Sequence, residues 1–147
     1  MQTSGSSIPD CVPDQTPISA RVVSVIDGDT ITVSINQREV TVRYLGLDTP
    51  EMSASDPIPG RKAKERNRTL VGGQTITLYR GERDEDDFGR LLRFVITEDG
   101  FVNRMLIQEG LASSFNRPHD DTCAELFTED MLMAYQNRLG IWEDADT

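Results

Sequence analysis

This sequence has little with which to build a thiolate or imidazole metal site. It holds two cysteines, Cys11 and Cys123, without CxxC spacing, and one histidine, His119. A structural zinc site takes about four such ligands, so the chain is poorly supplied for one. The two cysteines allow either a pair of free buried thiols or one disulfide joining the N-terminal arm to the C-terminal region. The disulfide is the reading taken forward, and with it the expectation of a secreted or cell-envelope protein. Long apolar runs are missing as well. No stretch approaches a membrane span, so no membrane partner is expected, and the N-terminus lacks the basic and apolar regions of an export signal. There are no internal repeats.

Basic charge is scarce: 15 Lys and Arg face 25 Asp and Glu, a net charge of −10. This argues against a long-range field that gathers phosphate chains, because such affinity comes from Lys and Arg displacing counterions. The shortage is uneven. "RKAKERNR", residues 61–68, holds five basic residues against one acidic, whereas from residue 98 onward three basic residues stand against eleven acidic. A local basic face therefore stays open.

What is present reads as one domain of 147 residues, long enough for a substantial core. Residues 1–17, rich in Ser and Pro and without periodicity, predict a flexible arm. The domain follows over 18–143, with a tail at 144–147. "ISARVVSVID" alternates unevenly, whereas "TITVSI" and "EVTVRYLGLD" alternate cleanly, with breaks at Asp27-Gly28 and Asn36-Gln37. That pattern predicts a three-strand antiparallel meander. Asp27-Gly28 is read as a hairpin turn in which glycine accepts positive φ. A Pro- and Ser-rich loop, "TPEMSASDPIPG", precedes a helix, "RKAKERNRTLVGG", that stops at its glycines. "QTITLYR" and "LLRFVI" predict two more strands joined by the acidic loop "GERDEDDFG". Phe101, Val102, Met105 and Leu106 have helical spacing, and a last helix is expected over roughly residues 122–139, with Trp142 just beyond it. The sum is an α+β fold, mainly β, built on a five-stranded barrel.

Three clusters carry chemistry. Asp29 starts the second strand, "RYLGLDTPE" supplies Arg43, Asp48, Thr49 and Glu51, and "DDFGR" leads to Arg90. If the meander curls into a barrel, the start of strand two meets the end of strand three, and Asp29 approaches Asp48. Two converging carboxylates repel unless a proton or a hard cation lies between them, and calcium suits oxygen ligands. Glu51 is then a third carboxylate, available to activate water. Two guanidiniums complete a set suited to phosphodiester attack. Singly, each piece has a plainer use: Asp48-Thr49-Pro50-Glu51 suits a turn or helix start, Arg43 and Arg90 suit a surface, and residues 84–87 suit a solvated loop. An EF-hand reading from Asp27 fails, lacking Gly at position six and Glu at twelve.

In this order the segments resemble the staphylococcal nuclease family of OB-fold proteins. "VIDGDTITV", "VRYLGLDTPE", "DDFGRLLRFV", "FVNRMLIQEGLA" and "GIW" carry the resemblance, over residue 18 to about residue 142. It implies an OB-fold Greek-key barrel with three helices and a calcium-dependent endonuclease that acts on DNA and RNA, cleaves the P–O5′ bond and leaves 3′-phosphates. It also implies that Asp29, Asp48 and the Thr49 carbonyl hold calcium, that Glu51 is the general base, and that Arg43 and Arg90 hold the phosphate. Asp87 and Phe88 stand where the type enzyme carries a lysine and a tyrosine for a terminal phosphate. Phe88 offers a base a stacking face instead, while Asp87 repels phosphate. "SSFNRPHDD" is shorter than its counterpart and lacks its tyrosines. No protein partner is expected, and the chain is read as a monomer. Degenerate relatives are non-catalytic OB-fold modules that bind nucleic acid or protein; that alternative expects a lost catalytic position, and none is lost.

Overall fold

Asn36 and Gln37 both adopt positive φ, 51° and 69°, the geometry of a two-residue hairpin whose twist matches its strands. In the computed structural model, which describes residues 8–114 and 120–144, they join β2 (Thr30–Ile35) to β3 (Arg38–Tyr44). β1 (Ile18–Asp27) lies antiparallel to β2, and its register skips Val23 and Ile26. Both skipped residues are exposed. The uneven alternation of this strand is thus two bulges, each inserting one outward residue.

β4 (Thr75–Glu85) pairs with β1 and with β5 (Leu91–Thr97), and β5 closes on β3 in parallel. The result is a closed five-stranded barrel in the order β3-β2-β1-β4-β5, extended by the two-residue β6 (Gly100–Phe101). Three helices pack on it: α1 (Ile58–Val71), α2 (Val102–Gln108) and α3 (Ala124–Gln136), with a 3₁₀ turn at Gly140–Trp142. This is the expected α+β OB-fold-like architecture. Three boundaries differ from expectation. Residues 81–85, read as loop, continue β4 beyond a register shift. α1 begins earlier, with Pro59 in its first turn, where a missing N–H leaves no bond unmade. α3 is shorter, and Arg138 at φ 54° lies past its end.

Alternate residues of the clean strands point inward: Ile31 and Val33, Val42 and Tyr44, Ile76 and Leu78, and Leu92 and Phe94 are all buried. Phe94, Phe101 and Phe127 pack edge to face, with ring centroids 5.8–6.1 Å apart. Buried Asn103 of α2 accepts the Val95 N–H at 2.8 Å and donates to the Leu45 carbonyl at 2.9 Å, which pins that helix to β5 and to the turn that follows β3. The N-terminal segment is not all flexible arm. Val12 is 1% exposed within the core, and Cys11 is disulfide-bonded to Cys123 at the start of α3. Residues 1–7, residues 145–147 and residues 115–119, which include His119, lie outside the described residues. Among the described residues no helix is long and apolar enough to cross a membrane.

Candidate active site

The β1–β2 hairpin closes at the Asp27↔Thr30 pair, with Gly28 and Asp29 at its tip. Gly28 is not among the positive-φ residues, so conformational freedom is not why glycine stands there. Space is the reason: a Cβ would lie 2.6 Å from the Ala63 Cβ of α1 and 2.8 Å from the Thr49 side chain. This close approach lets the tip sink between α1 and the segment after β3. Asp29 is 5% exposed. Its Oδ1 accepts the Thr30 hydroxyl, and its Oδ2 accepts both the N–H and the hydroxyl of Thr49, all at 3.0 Å.

Asp48 is fixed through its backbone, which exchanges two N–H···O=C bonds with Ser113. Arg43 is buried between the two aspartates. Its Nη1 donates to the carbonyls of Tyr44 (2.8 Å) and Leu47 (3.0 Å) and lies 3.5 Å from Asp29 Oδ2, while Nη2 donates to Asp48 Oδ1 at 3.0 Å. Beneath the hairpin, the Tyr44 hydroxyl donates to Asn67 Oδ1 at 2.6 Å, and Asn67 Nδ2 donates to the Asp27 carbonyl at 2.9 Å. Asn67 is fully buried in α1 and braces the turn. Sequence reasoning missed it because the bond spans 40 residues.

Arg90 is aimed by Asp86, which was read only as part of a solvated loop. Asp86 Oδ1 accepts the N–H groups of Phe88 and Arg90 at 2.9 Å, and Oδ2 accepts Arg90 Nε at 2.7 Å. Burial pushes the Asp86 carboxyl up, but those amides and the Arg90 guanidinium outweigh it and hold it below the ordinary range. Asp87 pairs with Arg83 at 2.7 Å.

Asp29, Arg43, Asp48, Thr49, Glu51 and Arg90 line one cavity of about 230 Å³, together with Asp27, Thr30 and Pro50. Phe88 stands outside it, 84% exposed, with the Arg90 Cζ 5.6 Å from its ring centroid. Four carboxylates and two guanidiniums leave the cavity with excess negative charge. Asp27 registers that excess: burial and then the Asp29 charge push its carboxyl up to about 6. The turn signal in the sequence hid this second role of Asp27. Among the described residues, no group of three or more His, Cys, Asp or Glu is arranged to hold a metal ion by itself.

A closed five-stranded barrel with this acidic and cationic cavity at a hairpin tip defines a protein of the OB-fold class. The chain matches the family described as staphylococcal nuclease homologue over residues 41–144, more than half its length, and it belongs to that family. Asp27 and Asp29 precede the matched range and reach the site through the pairing of β2 with β3. The chain is 33% identical over 130 residues to an uncharacterized endonuclease of Escherichia coli, covering 88% of this chain and 80% of the relative. It is 32% identical over 125 residues to a thermonuclease of Staphylococcus intermedius, with 83% and 74% covered. Identity is 30% over 142 residues to a micrococcal nuclease of Shigella flexneri, with 90% and 78% covered.

Proposed function

We propose that this protein is a calcium-dependent endonuclease that hydrolyses phosphodiester bonds of DNA and RNA and leaves 3′-phosphate ends. The observation that carries the reading is the convergence of Asp29, Arg43, Asp48, Thr49, Glu51 and Arg90 on one cavity. Relatives named endonuclease, thermonuclease and micrococcal nuclease support it. The donor set fits calcium: every candidate ligand is oxygen, and the carboxylates outnumber the guanidiniums. Asp29 and Asp48 would hold the ion through their carboxylates and Thr49 through its backbone carbonyl, with water filling the remaining positions. Bound there, calcium supplies positive charge to a phosphoryl oxygen.

The chain's own residues do the rest. Glu51, exposed at the cavity, takes a proton from water as the water oxygen bonds to phosphorus. The P–O5′ bond breaks, the 5′-oxygen acquires a proton from solvent, and the phosphate stays on the 3′-oxygen. Among the described residues Arg90 has only its Nε engaged, by Asp86, which leaves its Nη groups to form a fork on phosphate oxygens. Arg43 has three of its five N–H donors committed, which makes it a fixed positive wall with fewer bonds to give. Phe88 presents its ring to a nucleobase beside that phosphate. The reading takes the protein to act as a monomer. The Cys11–Cys123 disulfide supports an exported location.

Glu51→Gln and Arg90→Ala should each slow cleavage of single-stranded DNA by about a hundredfold or more while thermal melting stays close to wild type. Undiminished cleavage in a folded variant would remove that residue from its role.

A further inference from the structure

α1 carries Arg61, Lys62, Lys64, Arg66 and Arg68 against Glu65 alone, so it concentrates positive charge in a chain of −10. The fold accounts for part of this placement: Arg66 has a carboxylate partner and Arg68 stands in the last turn, where positive charge suits the helix dipole. The first turn of a helix favours acidic residues, because the unpaired N–H groups there are positive. α1 has no acidic residue within that turn, its one carboxylate acceptor being Asp56 ahead of it, which accepts the Ile58 N–H at 3.1 Å, and Arg61 and Lys62 follow directly. Arg66 is neutralised by a two-bond pair with Glu109 beside α2, at 2.7 and 2.9 Å. Among the described residues Arg68 has only an exposed contact of 3.4 Å with Glu65, a pair worth little in water. Arg61 is exposed and Lys64 half-buried, and neither has a carboxylate partner among the described residues.

The helix also lies against the site. A Cβ on Gly60 would stand 2.9 Å from the carbonyl oxygens of Pro50 and Glu51, and Ala63 abuts Gly28. Arg61 and Lys64 are the next residues along the chain from these two contacts. At 3.6 residues per turn, Arg61, Lys64 and Arg68 share one flank, opposite the flank that turns Arg66 toward α2. They span about 10 Å along the axis, at 1.5 Å per residue.

We propose that this flank of α1 binds the sugar-phosphate backbone of the substrate strand beside the cleaved phosphate. The proposal rests on the nuclease reading and deepens it: long polynucleotides use the flank, and fragments of a few nucleotides do not. Charge complementarity selects the occupant: a polynucleotide strand carries one negative charge per phosphate, which this cationic flank attracts and the acidic remainder of the chain repels.

The test uses Arg61→Gln/Lys64→Gln, substitutions that keep helix propensity, with Arg38→Gln as control. Arg38 is exposed, five residues up β3 from Arg43. On heat-denatured DNA the double variant should show KM raised about tenfold with kcat unchanged. The slope of log kcat/KM against log salt should fall by about 1.4, at roughly 0.7 per lost single-strand contact. Cleavage of a trinucleotide should be unchanged, and Arg38→Gln should behave as wild type on both substrates. An unchanged KM and slope in the folded double variant, or an equal loss on the trinucleotide, overturns the proposal. Binding of a fluorescein-labelled oligothymidylate in chelator separates the two readings, because it needs no catalysis. Weakened binding by the double variant supports the flank even if the protein cleaves nothing; equal binding overturns it.

Discussion

Asp27 and Asp86 are both partly buried carboxylates next to the site, and their surroundings push them in opposite directions. Asp27 has few compensating donors and a like charge beside it, so its carboxyl rises from 3.8 to about 6. A group that binds its proton more tightly when folded lends stability in acid and loses it as pH rises through its folded value. In chelator, Asp27→Asn should therefore raise the melting temperature at pH 8, and the difference should vanish below about pH 4. Asp86 has the opposite sign. Its folded pKa is lowered, so its contribution is present above the ordinary carboxylate value and is lost as pH falls through the folded one. Asp86→Asn should lower the melting temperature at neutral pH, with the difference shrinking in acid, as calorimetry over a pH series can follow. The sequence made Asp29, Arg43, Asp48, Glu51 and Arg90 legible because strand order and turn spacing bring them near one another. Asp86 and Asn67 were not legible, because their value lies in what they hold, Arg90 and the Asp27 carbonyl, and neither has a signature of its own.

Among the elements, the β1–β2 hairpin and α1 are interlocked at one point, and Gly28 is that point. Gly28→Ala pushes a methyl into Ala63 and Thr49, and overpacking of this kind costs about 1–3 kcal/mol. Because Thr49 donates twice to Asp29, the variant should also lose at least about tenfold in cleavage rate. Adding Ala63→Gly should restore part of the rate, although a glycine inside a helix costs about 1 kcal/mol. If Gly28→Ala keeps full activity, the close approach does not set the site. Strands with clean alternation were readable from sequence, since period two fixes which face is buried. β1 showed only irregularity, which the bulges at Val23 and Ile26 explain. Residues 81–85 were masked by their acidity: charged side chains on a barrel strand and in a loop look alike when only composition is read.

For the whole molecule, the disulfide joins the segment ahead of β1 to α3 across 112 residues of sequence. In the chain-entropy account, closing so long a loop contributes about 4–5 kcal/mol. Cys11→Ser/Cys123→Ser should thus lower the melting temperature by about 10 °C; a shift of only a degree or two would mean that Val12 and its neighbours hold that segment without the covalent link. The net charge of −10 bears on the chemistry at the same scale. In the proposed reading, a cavity with more carboxylates than guanidiniums needs a cation in place before it seats a phosphodiester for cleavage, whereas the α1 flank outside the cavity does not. The most direct measurement is therefore plasmid digestion followed across a calcium titration that starts in excess chelator. Cleavage absent in chelator, appearing with micromolar to millimolar calcium and abolished by Glu51→Gln, is the predicted result. Full cleavage in chelator, or none at any calcium concentration, would contradict the account.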